Sequence, residues 1–104
     1  WDLDVQDRVA LPQKYGVIHS FPNPFNSRIQ IKLNLDNDVQ GKLMVYDLRG
    51  HLVSTLKEGI FHQGEHNLYW DSTSENGVYL SSGIYVVSFR SQSNSLNTKV
   101  LLVK

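Results

Sequence analysis

The chain has 104 residues, ten Lys and Arg against ten Asp and Glu, a formal net charge of zero and no cysteine. That length allows one domain with a short tail, and one core rather than a core and a deep catalytic cleft together. Balanced charge gives no field to draw nucleic-acid phosphates or anionic lipid, and the lack of cysteine excludes disulfides, thiol catalysis and Cys-ligated zinc. Apolar runs such as 100–103 fall far short of the roughly 18 residues a membrane helix needs, and the first residues lack a signal-peptide pattern. The chain begins at Trp1 rather than Met, as expected of a piece of a longer protein.

Residues 1–13 carry Asp2, Asp4, Asp7 and Arg8, hold no sustained alternation and include Pro12, which predicts a linker from an upstream domain. The competing reading is an edge strand through Leu3, Val5, Val9 and Leu11. In Phe21-Pro22-Asn23-Pro24-Phe25-Asn26, two prolines remove two ladder donors and keep Asn23 extended. Such a segment belongs at a sheet edge or crosses between sheets, with Phe21 and Phe25 plugging the end of the core.

Over 28–35, Ile29, Ile31, Leu33 and Leu35 alternate with Arg28, Gln30, Lys32 and Asn34, the pattern of a half-buried strand. Segments 42–47 and 52–57 read as hairpin partners around 47–51, where Gly50 can supply a positive φ. Residues 59–64 and 71–83 are expected to be the two long connections. Segment 65–70 sets Leu68 and Trp70 on one face, and 84–90 does the same with Tyr85, Val87 and Phe89. After a polar turn at 91–95, residues 98–104 form a last strand with Val100, Leu101, Leu102 and Val103. No window offers a capped helical stripe, so the expectation is an all-β, two-sheet antiparallel sandwich. Its predicted core is Ile29, Ile31, Leu33, Leu43, Val45, Leu68, Trp70, Tyr85, Val87 and Phe89.

Motifs that carry chemistry are few. His62-Gln63-Gly64-Glu65-His66 fits an inverted zinc-protease string, which works only on a helix. In an extended segment the two imidazoles lie roughly 13 Å apart, too far to share a metal. Asp71, Glu75 and Asn76 offer oxygens to calcium, but their spacing matches no EF-hand, and Asx-turn bonding explains Asp71. Asn23 is expected to bond locally, Gly50 and Gly83 to serve backbone conformation, and Tyr46, Trp70 and Tyr85 to be core aromatics with bonded polar tips. Of the aromatics, Tyr15, Phe61, Tyr69 and Tyr79 remain for the surface. A carbohydrate-binding module, the alternative among immunoglobulin-like surface domains that bind sugar or a partner protein, would expose a coplanar row, and the strand aromatics point inward instead. Neither a G-x-S-x-G elbow nor a phosphate loop occurs, so no catalytic residue, metal ligand or cofactor is expected.

Five motifs occur in a recognisable order. They are Phe21-Pro22-Asn23-Pro24-Phe25-Asn26, Val45-Tyr46-Asp47-Leu48-Arg49-Gly50, Gly64-Glu65-His66 leading to Trp70-Asp71, Ser82-Gly83-Ile84-Tyr85, and a terminal Lys99-Val100-Leu101-Leu102-Val103-Lys104. Together they resemble the type A C-terminal sorting domain of the type IX secretion system, over residues 14–104. Two departures are Ser27, where the family has Pro, and Ser72-Thr73-Ser74, where its loop opens with Gly.

The resemblance implies an immunoglobulin-like β-sandwich of about seven strands, similar to that domain of the flagellar hook-capping protein. It implies a non-catalytic secretion signal behind a cargo in the same chain. Such a domain is recognised by the outer-membrane translocon, with a sortase-like peptidase as a further partner, and passes through the periplasm to the cell surface or medium. The family motif falls on Pro22, Asn23, Pro24, Gly50 and Gly83, and translocon recognition is expected at Lys99, Val100, Leu101, Leu102, Val103 and Lys104. Strand addition to this last strand is the expected mode, since main-chain bonds give affinity and alternate side chains specificity.

Overall fold

Ile29, Ile31, Leu33 and Leu35 are all buried, while the residues between them reach the surface, so the alternation in 28–35 does form a strand with one face in the core. The computed structural model describes residues 16–92 and 94–104. They form β1 (Gly16–Phe21), β2 (Ile29–Leu35), β3 (Val39–Asp47), β4 (Leu52–Phe61), β5 (Gly64–Trp70), β6 (Gly83–Ser91) and β7 (Ser95–Leu102), with no helix. One sheet has the order β1-β2-β5 and the other β4-β3-β6-β7, all pairs antiparallel. In immunoglobulin lettering this is A-B-E facing D-C-F-G, the fourth strand having joined the sheet of the third.

Nine of the ten expected core residues are buried, and Leu68 packs against them half-buried. Phe25, Leu35, Phe61, Val100 and Leu102 complete the cluster. Phe61 is fully buried rather than on the surface, because β4 continues four residues past Lys57 and turns its last side chain inward against Phe89, ring centroids 4.8 Å apart. The exposed Lys57-Glu58 pair and Gly59 had hidden that continuation. The connection expected at 59–64 therefore shrinks to His62 and Gln63, which carry the chain from one sheet to the other. Gly41 and Gly59 sit opposite each other across β3 and β4. A Cβ on Gly41 would stand 2.6 Å from the Arg90 carbonyl oxygen and 2.8 Å from the Phe89 ring, so only glycine lets that ring lie across the strand.

Three other expectations change. The seventh strand is β1, in a stretch where only Ile18 packs on the core and the alternation is correspondingly faint. Tyr46 belongs to the outer face, since Leu43 and Val45 take the inward positions. Its ring carries the Arg90 guanidinium at 4.9 Å, and its hydroxyl donates to Met44 Sδ at 3.4 Å. β7 begins at Ser95 and ends at Leu102, three residues earlier than expected at its start and two at its end. The proposed linker at 1–13, its edge-strand alternative and Tyr15 lie outside the described residues.

Trp70 is 2% exposed, and its indole N–H donates to the Thr73 carbonyl at 2.9 Å. Trp70→Ala leaves a large void and frees that carbonyl, a loss of about 3 to 5 kcal/mol. The urea midpoint should fall accordingly, and a change below about 1 kcal/mol would contradict the packing described.

Candidate recognition strand

β7 is the outermost strand of its sheet. Its Val100 and Leu102 side chains enter the core, 1% and 0% exposed, which leaves Lys99, Leu101 and Val103 on the outward face. One edge of β7 pairs with β6, where Tyr85 lies opposite Val100 and Gly83 opposite Leu102. No strand forms a ladder with the other edge, although β1 passes close to it, with Ser20 Oγ 3.5 Å from Thr98 Oγ1. Its polar groups at 99–103 are instead taken by the Pro22-Asn23-Pro24-Phe25 segment, which leaves β1 through cis peptide bonds before both prolines. The Asn23 amide donates to the Lys99 carbonyl at 3.0 Å and accepts from the Leu101 N–H at 2.9 Å. Phe25 N–H donates to the Leu101 carbonyl at 2.9 Å, and Val103 N–H to the Phe25 carbonyl at 2.8 Å.

The segment thus crosses between sheets, as two missing ladder donors required, but Asn23 bonds residues 76 and 78 positions away rather than its own turn. Proline on both sides leaves the Asn23 side chain as the nearest group able to both donate and accept. Phe25 is buried and Phe21, 44% exposed, is not, so one phenylalanine of the two plugs the core. Beyond the strand, Lys104 N–H donates to Ser82 Oγ at 2.9 Å, and Lys104 Nζ lies 4.8 Å from the Tyr79 ring centre.

The motif residues Asp47 to Gly50, Trp70 and Gly83 to Tyr85 gather at the same end of the sandwich, while Gly64-Glu65-His66 lies at the far end of β5, opposite Leu33 to Leu35. Trp70 stacks edge-on to Tyr85 at 5.4 Å and tilted to Phe25 at 5.8 Å, and the Tyr85 hydroxyl donates to the Ser81 carbonyl at 2.8 Å. Tyr85 also lies opposite Asp47, the last residue of β3. Asp47 Oδ1 accepts the His51 and Arg49 N–H groups, both at 2.9 Å, and Gly50 completes the turn at φ +87°, where a side chain is strained. Asp47, Arg49, Leu80 and Gly83 line one depression, so the Gly50 and Gly83 motifs are neighbours in space.

The other candidate residues are used locally. His62 Nδ1 lies 3.6 Å from Asp38 Oδ2, and the His66 ring nitrogen Nε2 bonds the His62 carbonyl at 2.6 Å. Glu65 pairs with Lys32 at 3.3 Å on the neighbouring strand. Asp71 Oδ1 accepts from the Thr73 hydroxyl, and Glu75 Oε2 from Thr55 N–H at 3.0 Å. Among the described residues, no group of three or more His, Asp or Glu comes together as a metal site.

An immunoglobulin-like sandwich whose last strand is held by a distant proline segment defines a class of fold, and comparison gives its family. The secretion system C-terminal sorting domain matches residues 19–104, and the chain belongs to this family, the C-terminal sorting domains of type IX secretion. Among solved structures, dimeric latent PorU from Porphyromonas gingivalis is similar at 22% identity and a TM-score of 0.66, over 85% of this chain and 9% of that one. PorZ from the same organism, a surface component of the type IX secretion system, is similar at 15% identity and a TM-score of 0.56, over 84% of this chain and 11% of that one. At those identities the likeness is one of fold, and the chain spans only about a tenth of either protein. None of the curated proteins compared matches the chain.

The His51 N–H bond, helped by that of Arg49 and by their charges, holds the Asp47 carboxyl below the usual aspartate range. A lowered folded pKa adds stability that is complete above the unfolded value of about 3.9 and is lost as pH falls through the folded value. Asp47→Asn should therefore flatten the decline of the urea midpoint below about pH 4, and an unchanged profile would show that the carboxylate plays no part in the turn. Zinc is expected to leave the melting temperature unchanged. A zinc-dependent rise abolished by His62→Ala and His66→Ala would reinstate the metal site.

Proposed function

We propose that this chain is a non-catalytic secretion signal that directs a cargo joined ahead of it across the outer membrane through the type IX secretion system. The address is carried by Lys99, Val100, Leu101, Leu102, Val103 and Lys104. Its partners are the outer-membrane translocon and a sortase-like peptidase that frees the domain as the cargo is attached at the surface or released. The observation that carries this reading is the extent of the family match, 19–104, which takes in both β7 and the segment that closes its edge. Burial of Val100 and Leu102 ties the address to the folded domain, so recognition and folding are coupled. No helix among the described residues is long and apolar enough to cross a membrane.

The test is a reporter fused ahead of the chain in a bacterium that has the type IX system. Removing Val103 and Lys104 deletes two exposed side chains, one bond to Phe25, one to Ser82 and the Lys104 contact with Tyr79, and should leave a cooperatively melting domain while the reporter stays in the periplasm. Normal surface delivery by that truncation moves the address elsewhere. Delivery that survives loss of all of 14–104 rejects the sorting function.

A further inference from the structure

A strand docking on the free edge of β7 needs the Lys99 carbonyl, the Leu101 N–H and carbonyl, and the Val103 N–H. All four are already bonded, two by the Asn23 side chain and two by the Phe25 backbone. Asn23 supplies one donor and one acceptor, the pair a strand residue would supply, so the edge is filled as if by another strand. What β7 still presents in this stretch is its outward side chains. Leu101 is 37% and Val103 48% exposed, while Val100 and Leu102 are unreachable. Leu101 lies opposite Ile84, 42% exposed on β6, and Lys99 opposite Val86, so the row continues as an apolar surface across the sheet.

Charge gives the row its polarity. Lys99 makes no ion pair among the described residues, nor does Lys57 of β4, which lies over the Phe61 ring, whereas Lys32 and Lys42 are paired with Glu65 and Glu58. No carboxylate side chain follows Glu75 in the chain. Alternate residues of a strand recur at about 6.8 Å, so Lys99, Leu101 and Val103 form an evenly spaced row with its cation at one end.

Resting on the function proposed above, we infer that the translocon reads this domain through the outward side chains of Lys99, Leu101 and Val103, in an apolar groove with a carboxylate facing Lys99, while Asn23 keeps the backbone edge of the same strand shut. Asn23 is in this scheme a positioning residue. It substitutes for a neighbouring strand and thereby excludes readout by strand addition.

The experiment uses the same reporter ahead of the full chain, with surface delivery, melting temperature and amide exchange at Leu101 measured for each variant. Leu101→Ser, Val103→Ser and Lys99→Glu should melt close to the parent yet lower surface delivery about fivefold or more, the loss that follows truncation of an interface anchor. Lys99→Glu should lose more than Lys99→Gln, because it turns attraction into repulsion. Ile60→Ser removes a more exposed apolar side chain, 61% against 37% for Leu101 and 48% for Val103, from β4 at the opposite edge of the sheet, and should deliver normally. Asn23→Ala should speed exchange of the Leu101 amide about two- to tenfold, the span of one net hydrogen bond, without raising delivery. Normal delivery by the Lys99, Leu101 and Val103 variants overturns the inference, as does an equal loss in Ile60→Ser. A rise in delivery on opening the edge with Asn23→Ala also overturns it, since that is the mark of strand addition. Delivery that persists without 14–104 defeats the underlying function instead, and is read separately from the other results.

Discussion

Contact between the Phe25, Trp70 and Tyr85 rings is the constraint on which one end of this molecule depends. The three come from the β1–β2 connection, the last position of β5 and the third position of β6, and so from both sheets. Sheets whose strands share no ladder are registered by side-chain packing, here together with the bonds of Asn23 and Phe25 to β7, and large rings fix that register more sharply than aliphatic groups do. Phe25 can hold β7 through its backbone because its ring is already seated on Trp70. Tyr85 sets the start of β6, which sets where Gly83 meets Leu102. Apart from Gly64-Glu65-His66, which lies at the far end of β5, the motifs that look scattered along the chain are thus parts of one arrangement around a tryptophan.

This arrangement substitutes for devices that the sequence lacks. Many immunoglobulin-like domains join their sheets with a disulfide beside a buried tryptophan, and this chain has no cysteine. Its clasp is instead made of aromatic packing and a proline segment passing from one sheet to the edge of the other. An unprotected outer strand invites pairing with another chain, and a side-chain amide with a short backbone bridge answers that hazard without adding a strand.

Periodicity made much of this legible. Strands with a strict two-residue repeat and several inward apolar groups, such as β2 and β6, could be read from the sequence, and nearly all of their inward residues are buried. β1 was not legible, because with Ile18 as its one core contact it leaves almost no hydrophobic signal. The end of β4 was obscured by Lys57, Glu58 and Gly59, residues poor in strand propensity that are carried there by pairing with β3. The prolines of 22–24 announced a crossing, but nothing local told which strand Asn23 would reach, since its partners lie more than seventy residues away. Motif order carried the family where spacing and composition could not, and the Gly50 turn is a local structure that any sequence with Asp47 at its start and Gly50 near its end would favour.

The cross-section of the sandwich, two sheets packed face to face about 10 Å apart, sets a scale for transit. A conduit that carries the domain folded and end-on must open wider than that section along its whole length. A narrower one has to part the sheets first, and then Phe25 leaves Trp70, Val100 and Leu102 lose their core, and nothing aligns the outward row of β7. If the outward row is what is read, the dimensions of the passage and the moment of reading are linked: a narrow conduit has to be preceded by a receptor that meets the intact sandwich, while a wide one can combine receptor and passage in a single body.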